Sequence, residues 1–222
     1  WYVDHAVPPE YHQAALDAGL GIHEYLESEA AKQAVGQHGL IALDWWNGNR
    51  STLVDVDLSG LMIGMTLATR APDIYRALIE STAFGTREII EAFEVRGVPV
   101  NELIAAGGLP EKNALLRQIY ADVTGRTLKL AGSAQSPALG SAMHAAVAAG
   151  YYPDIQEAAE KMGKIKDDVV NPIPENSAVY DRIYSEYKAL YDTFGRGGND
   201  VMKRLRKIRH EVLTADGQKD ED

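Results

Sequence analysis

The chain has 222 residues, 45% of them hydrophobic and 24% charged, the composition of a soluble globular protein with one large domain or two small ones. It contains no cysteine, which excludes disulfides, thiolate nucleophiles, iron–sulfur clusters and cysteine-type zinc sites, and which suits a reducing cytoplasm. A net charge of −10 repels nucleic acid and anionic membrane, and no apolar run reaches the ~18–20 residues of a membrane span.

Trp1 rather than Met stands first, and WYVDHAVPPEY has the character of an apolar helix already under way, so further sequence upstream is expected. No signal-peptide pattern is present, and a cytoplasmic location is expected. A weak helix over 11–18, a polar amphipathic stretch over 23–36 and the block GLIALDWWNGNRS (39–51) follow. GLMIGMTLA (60–68) reads as a short buried strand. Pro72 opens a helix of about 22 residues, because proline is tolerated in a first turn, and Gly97 with Pro99 closes it. On that helix Ala77, Ser81 and Gly85 recur every fourth residue and form a smooth face for close packing.

NELIAAGG (101–108) reads as a strand ending in a glycine pair, and Asn113 as the N-cap of ALLRQIYADVT, terminated by Gly125. TLKL (127–130) is a further strand, and Ser136-Pro137 starts a helix that Gly150 stops. Strand, helix, strand, helix at this spacing predicts an α/β layer with crossover helices. Beyond Gly150 the pattern is all-helical: a short helix from Asp154 and a longer one over 175–194 with the stripe Tyr180, Ile183, Tyr184, Tyr187, Tyr191 and Phe194, read as core. A last helix over 199–213 is predicted to turn Val201, Leu205, Ile208 and Val212 inward and its basic residues mostly outward. The tail DGQKDED is predicted to be disordered. Three segments result: leading helices and DWWNGNRS over 1–59, an α/β core over 60–150, and C-terminal helices with the acidic tail over 151–222.

The histidines (His5, His12, His23, His38, His144, His210) form no i, i+4 pair and no cluster of metal-ligand spacing. Signatures of serine hydrolases, P-loop NTPases and dinucleotide enzymes are missing. What remains is the turn at Gly107 and Gly108, at the carboxyl end of a strand where parallel α/β sheets place ligands. Glycine lets a flat ring or a phosphate lie against backbone, and the helix beginning near Asn113 favours an anion at its positive end. A tight strand-to-helix turn with no ligand explains the same residues.

From residue 39 onward several ordered motifs together resemble the FGGY family of carbohydrate kinases. GLMIGMTLATRAPDIYRALIE (60–80) is similar to its second signature, with Leu78 larger than the small residue usual there. AAGGLPEKNALLRQIYADVTGR (105–126) resembles its adenosine-binding turn, SPALGSAMHAAVAAG (136–150) the helix that follows it, and DWWNGNRS (44–51) the branch acting on ribulose. The resemblance implies an actin-like ATPase, ribonuclease-H-type fold with additional C-terminal helices, using ATP and Mg²⁺ to phosphorylate the terminal hydroxyl of a ketopentose, ribulose, in L-arabinose catabolism. It implies that Gly107 and Gly108 back the adenine and α-phosphate and that Asn113 sits at the nucleotide's rim.

The same resemblance implies that the phosphate hairpin, the catalytic aspartate and the sugar contacts precede Trp1, in an N-terminal kinase domain that this chain lacks. No catalytic residue is then expected here, and Asp44, Asp55, Asp57 and Glu80 are read as surface or structural acids. The sheet would keep an unpaired edge, which favours a homodimer. Two other readings stay open: another pentulose, hexulose or glycerol kinase of the family, and a non-catalytic binding or scaffold domain.

Overall fold

A computed structural model describes residues 1–215. The disorder expected for DGQKDED falls on 216–222, outside the described residues. Three short helices open the chain, α1 (Tyr2–His5), α2 (Pro9–Asp17) and α3 (Ile22–Ala30). A two-stranded antiparallel ribbon follows, β1 (Ile41–Leu43) paired with β2 (Leu61–Ile63) through Ala42 opposite Met62. The long helix α4 (Ala71–Glu94) carries proline in its first turn, and Asp73 Oδ2 accepts the Arg70 N–H at 2.7 Å.

Next come β3 (Glu102–Ala105), α5 (Gly108–Lys112), α6 (Ala114–Thr124) and β4 (Thr127–Ala131). β3 and β4 are parallel, with Glu102 opposite Thr127 and Ala105 opposite Leu130, so the α5–α6 connection is the predicted crossover. The helices α7 (Ser136–Ala148) and α8 (Ile155–Met162) pack on each other, α8 being capped by Asp154 Oδ1 on the Glu157 N–H at 2.9 Å. Then β5 (Ile165–Val170) completes the sheet in the order β3-β4-β5, antiparallel to β4. The helices α9 (Pro174–Gly195) and α10 (Val201–Ala215) end the described chain.

Three expectations need correction. The run 60–68 is not a buried strand: β2 has three half-buried or exposed residues and pairs only with β1. Glycine ends it for a steric reason, since Gly64 has φ +92° and a Cβ there would stand 2.2 Å from the Gly39 carbonyl oxygen. The segment after Gly150 is not all-helical, because β5 pairs with the second edge of β4. Its sequence, IKDDVV, is largely exposed and charged, as suits an edge strand, and has no alternation to announce it.

Helix α10 buries only the start of its predicted inward face, where Val201 packs half-buried against the core. Leu205, Ile208 and Val212 are 61%, 55% and 56% exposed, and Met202 is its buried residue. Part of the basic face holds the helix down: Lys203 Nζ pairs with Asp55 Oδ2 at 2.6 Å, and Arg206 donates to the Val56 carbonyl at 2.6 Å.

The aromatic stripe of α9 is core, as predicted. Tyr180, Tyr184, Tyr187 and Tyr191 are buried against Leu43, Trp45, Phe84, Ile119 and Val123, so one core draws on all three segments of the chain. Phe84 packs among three of these rings at centroid distances of 5.2–6.0 Å.

Candidate functional site

The parallel pair β3 and β4 fixes where the glycine turn stands, directly beyond the carboxyl end of β3. Gly107 has φ +100°, a region open to glycine alone at low cost, and this lets the chain leave β3 and enter α5 with only Ala106 and Gly107 between them. Gly108 has no such dihedral requirement. At both positions the place a Cβ would occupy meets no protein atom within 4 Å. Close protein packing therefore does not explain the second glycine, and the bare backbone faces open space.

Asn113 is 5% exposed, and its Oδ1 accepts the Leu116 N–H at 2.6 Å, the predicted N-cap. Gly125 closes the same helix in the left-handed conformation, φ +64°. The anion-attracting end expected of α6 is already in use. Glu27 Oε1, from α3, accepts the Leu115 N–H at 3.2 Å, so a carboxylate of the chain and the Asn113 cap take two first-turn donors. Glu27 was not legible as a partner, because nothing local in the sequence ties it to residue 115.

The four acids considered from the sequence meet groups on other elements than this turn. Asp55 is bound to Lys203, whose hydrogen bond holds its carboxyl below the ordinary value. Asp57 lies 3.6 Å from Arg206. Glu80 is 1% exposed, and three donors converge on it: Arg76 Nε at 2.8 Å and the Tyr180 hydroxyl at 2.8 Å on one oxygen, His38 Nε2 at 3.0 Å on the other. The Leu40 N–H donates to His38 Nδ1 at 3.0 Å, so that nitrogen carries the lone pair and Nε2 the proton given to Glu80. Burial alone would raise the Glu80 carboxyl, but His38 and Arg76 outweigh it and hold it below the usual range. Asp44, half-buried at the end of β1, is the exception: burial raises its carboxyl, opposed only by its own backbone N–H.

Among the described residues no group of three or more His, Asp or Glu side chains is placed to hold a metal ion, and no helix is long and apolar enough to cross a membrane.

Residues 3–149 match the FGGY family of carbohydrate kinases, C-terminal domain, and the chain belongs to that family. It is similar to the ribulokinase of Geobacillus thermodenitrificans, 58% identical over 97% of this chain and 39% of that protein. To the ribulokinase of Halalkalibacterium halodurans it is 55% identical, over 94% of this chain and 38% of that one. Among solved structures, xylulose kinase from Rhodospirillum rubrum superposes with TM-score 0.67 at 26% identity, over 82% of this chain and 36% of that one. Plasmodium falciparum glycerol kinase with ADP does so with TM-score 0.61 at 20% identity, over 76% and 33%. The fold is that of these actin-like sugar kinases. The chain spans about two fifths of the length of the ribulokinases it matches.

Proposed function

We propose that this chain is the nucleotide-side domain of an ATP-dependent L-ribulokinase, whose whole polypeptide transfers the γ-phosphoryl group of ATP to the terminal hydroxyl of ribulose in the cytoplasm. The observation that carries the reading is the turn at Gly107 and Gly108, where two consecutive Cβ positions open onto space at the end of a parallel strand. A purine ring can lie flat on that backbone, and the similarity to ribulokinases at 58% and 55% identity supplies the reaction class.

In this reading Gly107 and Gly108 back the adenine and α-phosphate. Asn113 keeps its oxygen in the α6 cap and turns its amide nitrogen toward the nucleotide's rim. Glu27, by occupying the α6 N-terminus, steers phosphate away from that helix and toward the glycine turn. Mg²⁺ accompanying ATP would supply neutralisation of the charge developing in the transfer, and among the described residues no cluster of acids or histidines is placed to hold it. The carboxylate that accepts the sugar hydroxyl's proton, and the sugar contacts, belong to the N-terminal domain that the longer relatives carry.

The test uses the whole kinase. Gly108→Leu places a side chain on the adenine's wall and raises KM for ATP by at least about tenfold, the loss of roughly 1.4 kcal/mol of binding, while KM for ribulose stays within twofold. An unaltered KM for ATP would refute the assignment. Turnover with ribulose exceeding that with xylulose and glycerol separates this reading from other kinases of the family. The chain by itself gives no ribulose-dependent ADP release, and measurable turnover would place the catalytic carboxylate within it.

A further inference from the structure

The small-residue face of α4 ends in a notch at Gly85, and two polar groups converge on it from different elements. The position a Cβ would take at Gly85 lies 3.4 Å and 3.5 Å from the two carboxylate oxygens of Asp44, at the end of β1, and 3.7 Å from the hydroxyl of Tyr187, on α9. Tyr187 is fully buried, and its hydroxyl has no hydrogen-bond partner among the described residues. Burial raises both acids, and the Asp44 charge adds to the rise at Tyr187. Buried hydroxyls are ordinarily paired, and one left bare is destabilising.

We propose that the Gly85 notch is a site for a single ordered water molecule, which accepts the Tyr187 O–H and donates to the Asp44 carboxylate. The chemistry matches what such a site needs, two polar partners of complementary character around a space with no side chain. A water must stand farther from the Gly85 Cα than a Cβ would. The carboxylate and hydroxyl oxygens lie 3.4–3.7 Å from the Cβ position, so a water oxygen displaced from it toward them comes within reach of the roughly 2.7–2.8 Å of an O–H···O bond. A cation fits less well, since one carboxylate and one phenol leave most of a coordination shell unfilled. The water would tie three elements together: β1, whose end carries the DWW sequence, the signature helix α4, and α9, which lies beyond the residues matched to the family.

The test exploits a reversal of sign. Gly85→Ala is sterically tolerated, since its methyl would make ordinary contacts at 3.4–3.7 Å, and in a helix alanine is favoured over glycine. With no water to lose, that substitution should raise Tm by roughly 2–4 °C. With the water displaced, the gain is cancelled or reversed.

Tyr187→Phe should lower Tm in the original chain, where it removes a satisfied hydroxyl. In the Gly85→Ala background it should raise Tm, because there it removes a bare one. A crystal structure should show a peak within hydrogen-bond distance of Asp44 and Tyr187 that disappears in Gly85→Ala. A rise in Tm for Gly85→Ala alone, a rise or no change for Tyr187→Phe alone, or no peak at the notch would each overturn the proposal. An anomalous signal there after rubidium soaking would identify a cation and overturn it as well.

Discussion

Removing the carboxylate of Glu80 tests how much the chain depends on its buried ionic cluster. Glu80→Ala leaves the Arg76 guanidinium, 4% exposed, without its counter-ion, and leaves the His38 Nε2–H and the Tyr180 hydroxyl without their acceptor. Arg76 would keep only its bonds to the Ala30 and Gln33 carbonyls and the Tyr180 oxygen. Breaking a buried pair from one side costs about 3–5 kcal/mol, because the surviving charge stays desolvated. For a chain of this length each 1 kcal/mol corresponds to roughly 2–4 °C, so Tm should fall by roughly 6–20 °C at neutral pH, read by circular dichroism or calorimetry.

The pH dependence carries the same argument. The folded carboxyl lies below its unfolded value of about 4.3, so its contribution is complete above that pH and is lost as pH falls through the folded value. The gap between the original chain and Glu80→Ala should therefore narrow in strong acid. A loss under about 3 °C at neutral pH, or a gap that widens in acid, would refute the reasoning.

Asp44 has the opposite sign: its folded carboxyl is raised, so its ionised form opposes folding once pH rises through the folded value. Asp44→Asn should accordingly stabilise the chain at pH 7 and leave it unchanged near about pH 3, as pH-resolved melts would show. Asn113→Ala removes the acceptor for the Leu116 N–H and should cost about 1 kcal/mol in chemical denaturation, whereas Asn113→Ser retains a capping oxygen and most of the stability. Gly107→Ala forces a side chain into φ +100° and should cost roughly 1–3 kcal/mol even though space is open around it, with Gly108→Ala losing much less.

Local chemistry made much of this fold legible. Pro72, Asn113, Gly125 and Asp154 each act on neighbouring backbone, so their roles as helix starts and stops follow from residue type and position alone, and the structure places all four as read. The spacing of the α9 tyrosines fixed a single buried stripe for the same reason. The two glycines after β3 mark a bare-backbone turn by residue type alone.

Long-range pairing decided the rest. Strand β5 exists because β4 has a second edge to fill, and a charged six-residue segment carries no sign of the partner it will meet. Beyond Val201, helix α10 shows the rest of its apolar stripe to solvent, while Asp55 and Val56, far away in sequence, hold its basic side. Glu27 reaches the start of α6, and Asp44 and Tyr187 meet at Gly85, only once α3, β1 and α9 have packed around α4 and α6. Periodicity and capping specify what each segment becomes; which distant groups desolvate one another is set by the packing of the whole chain, since burial and charge pairing are properties of the assembled interior.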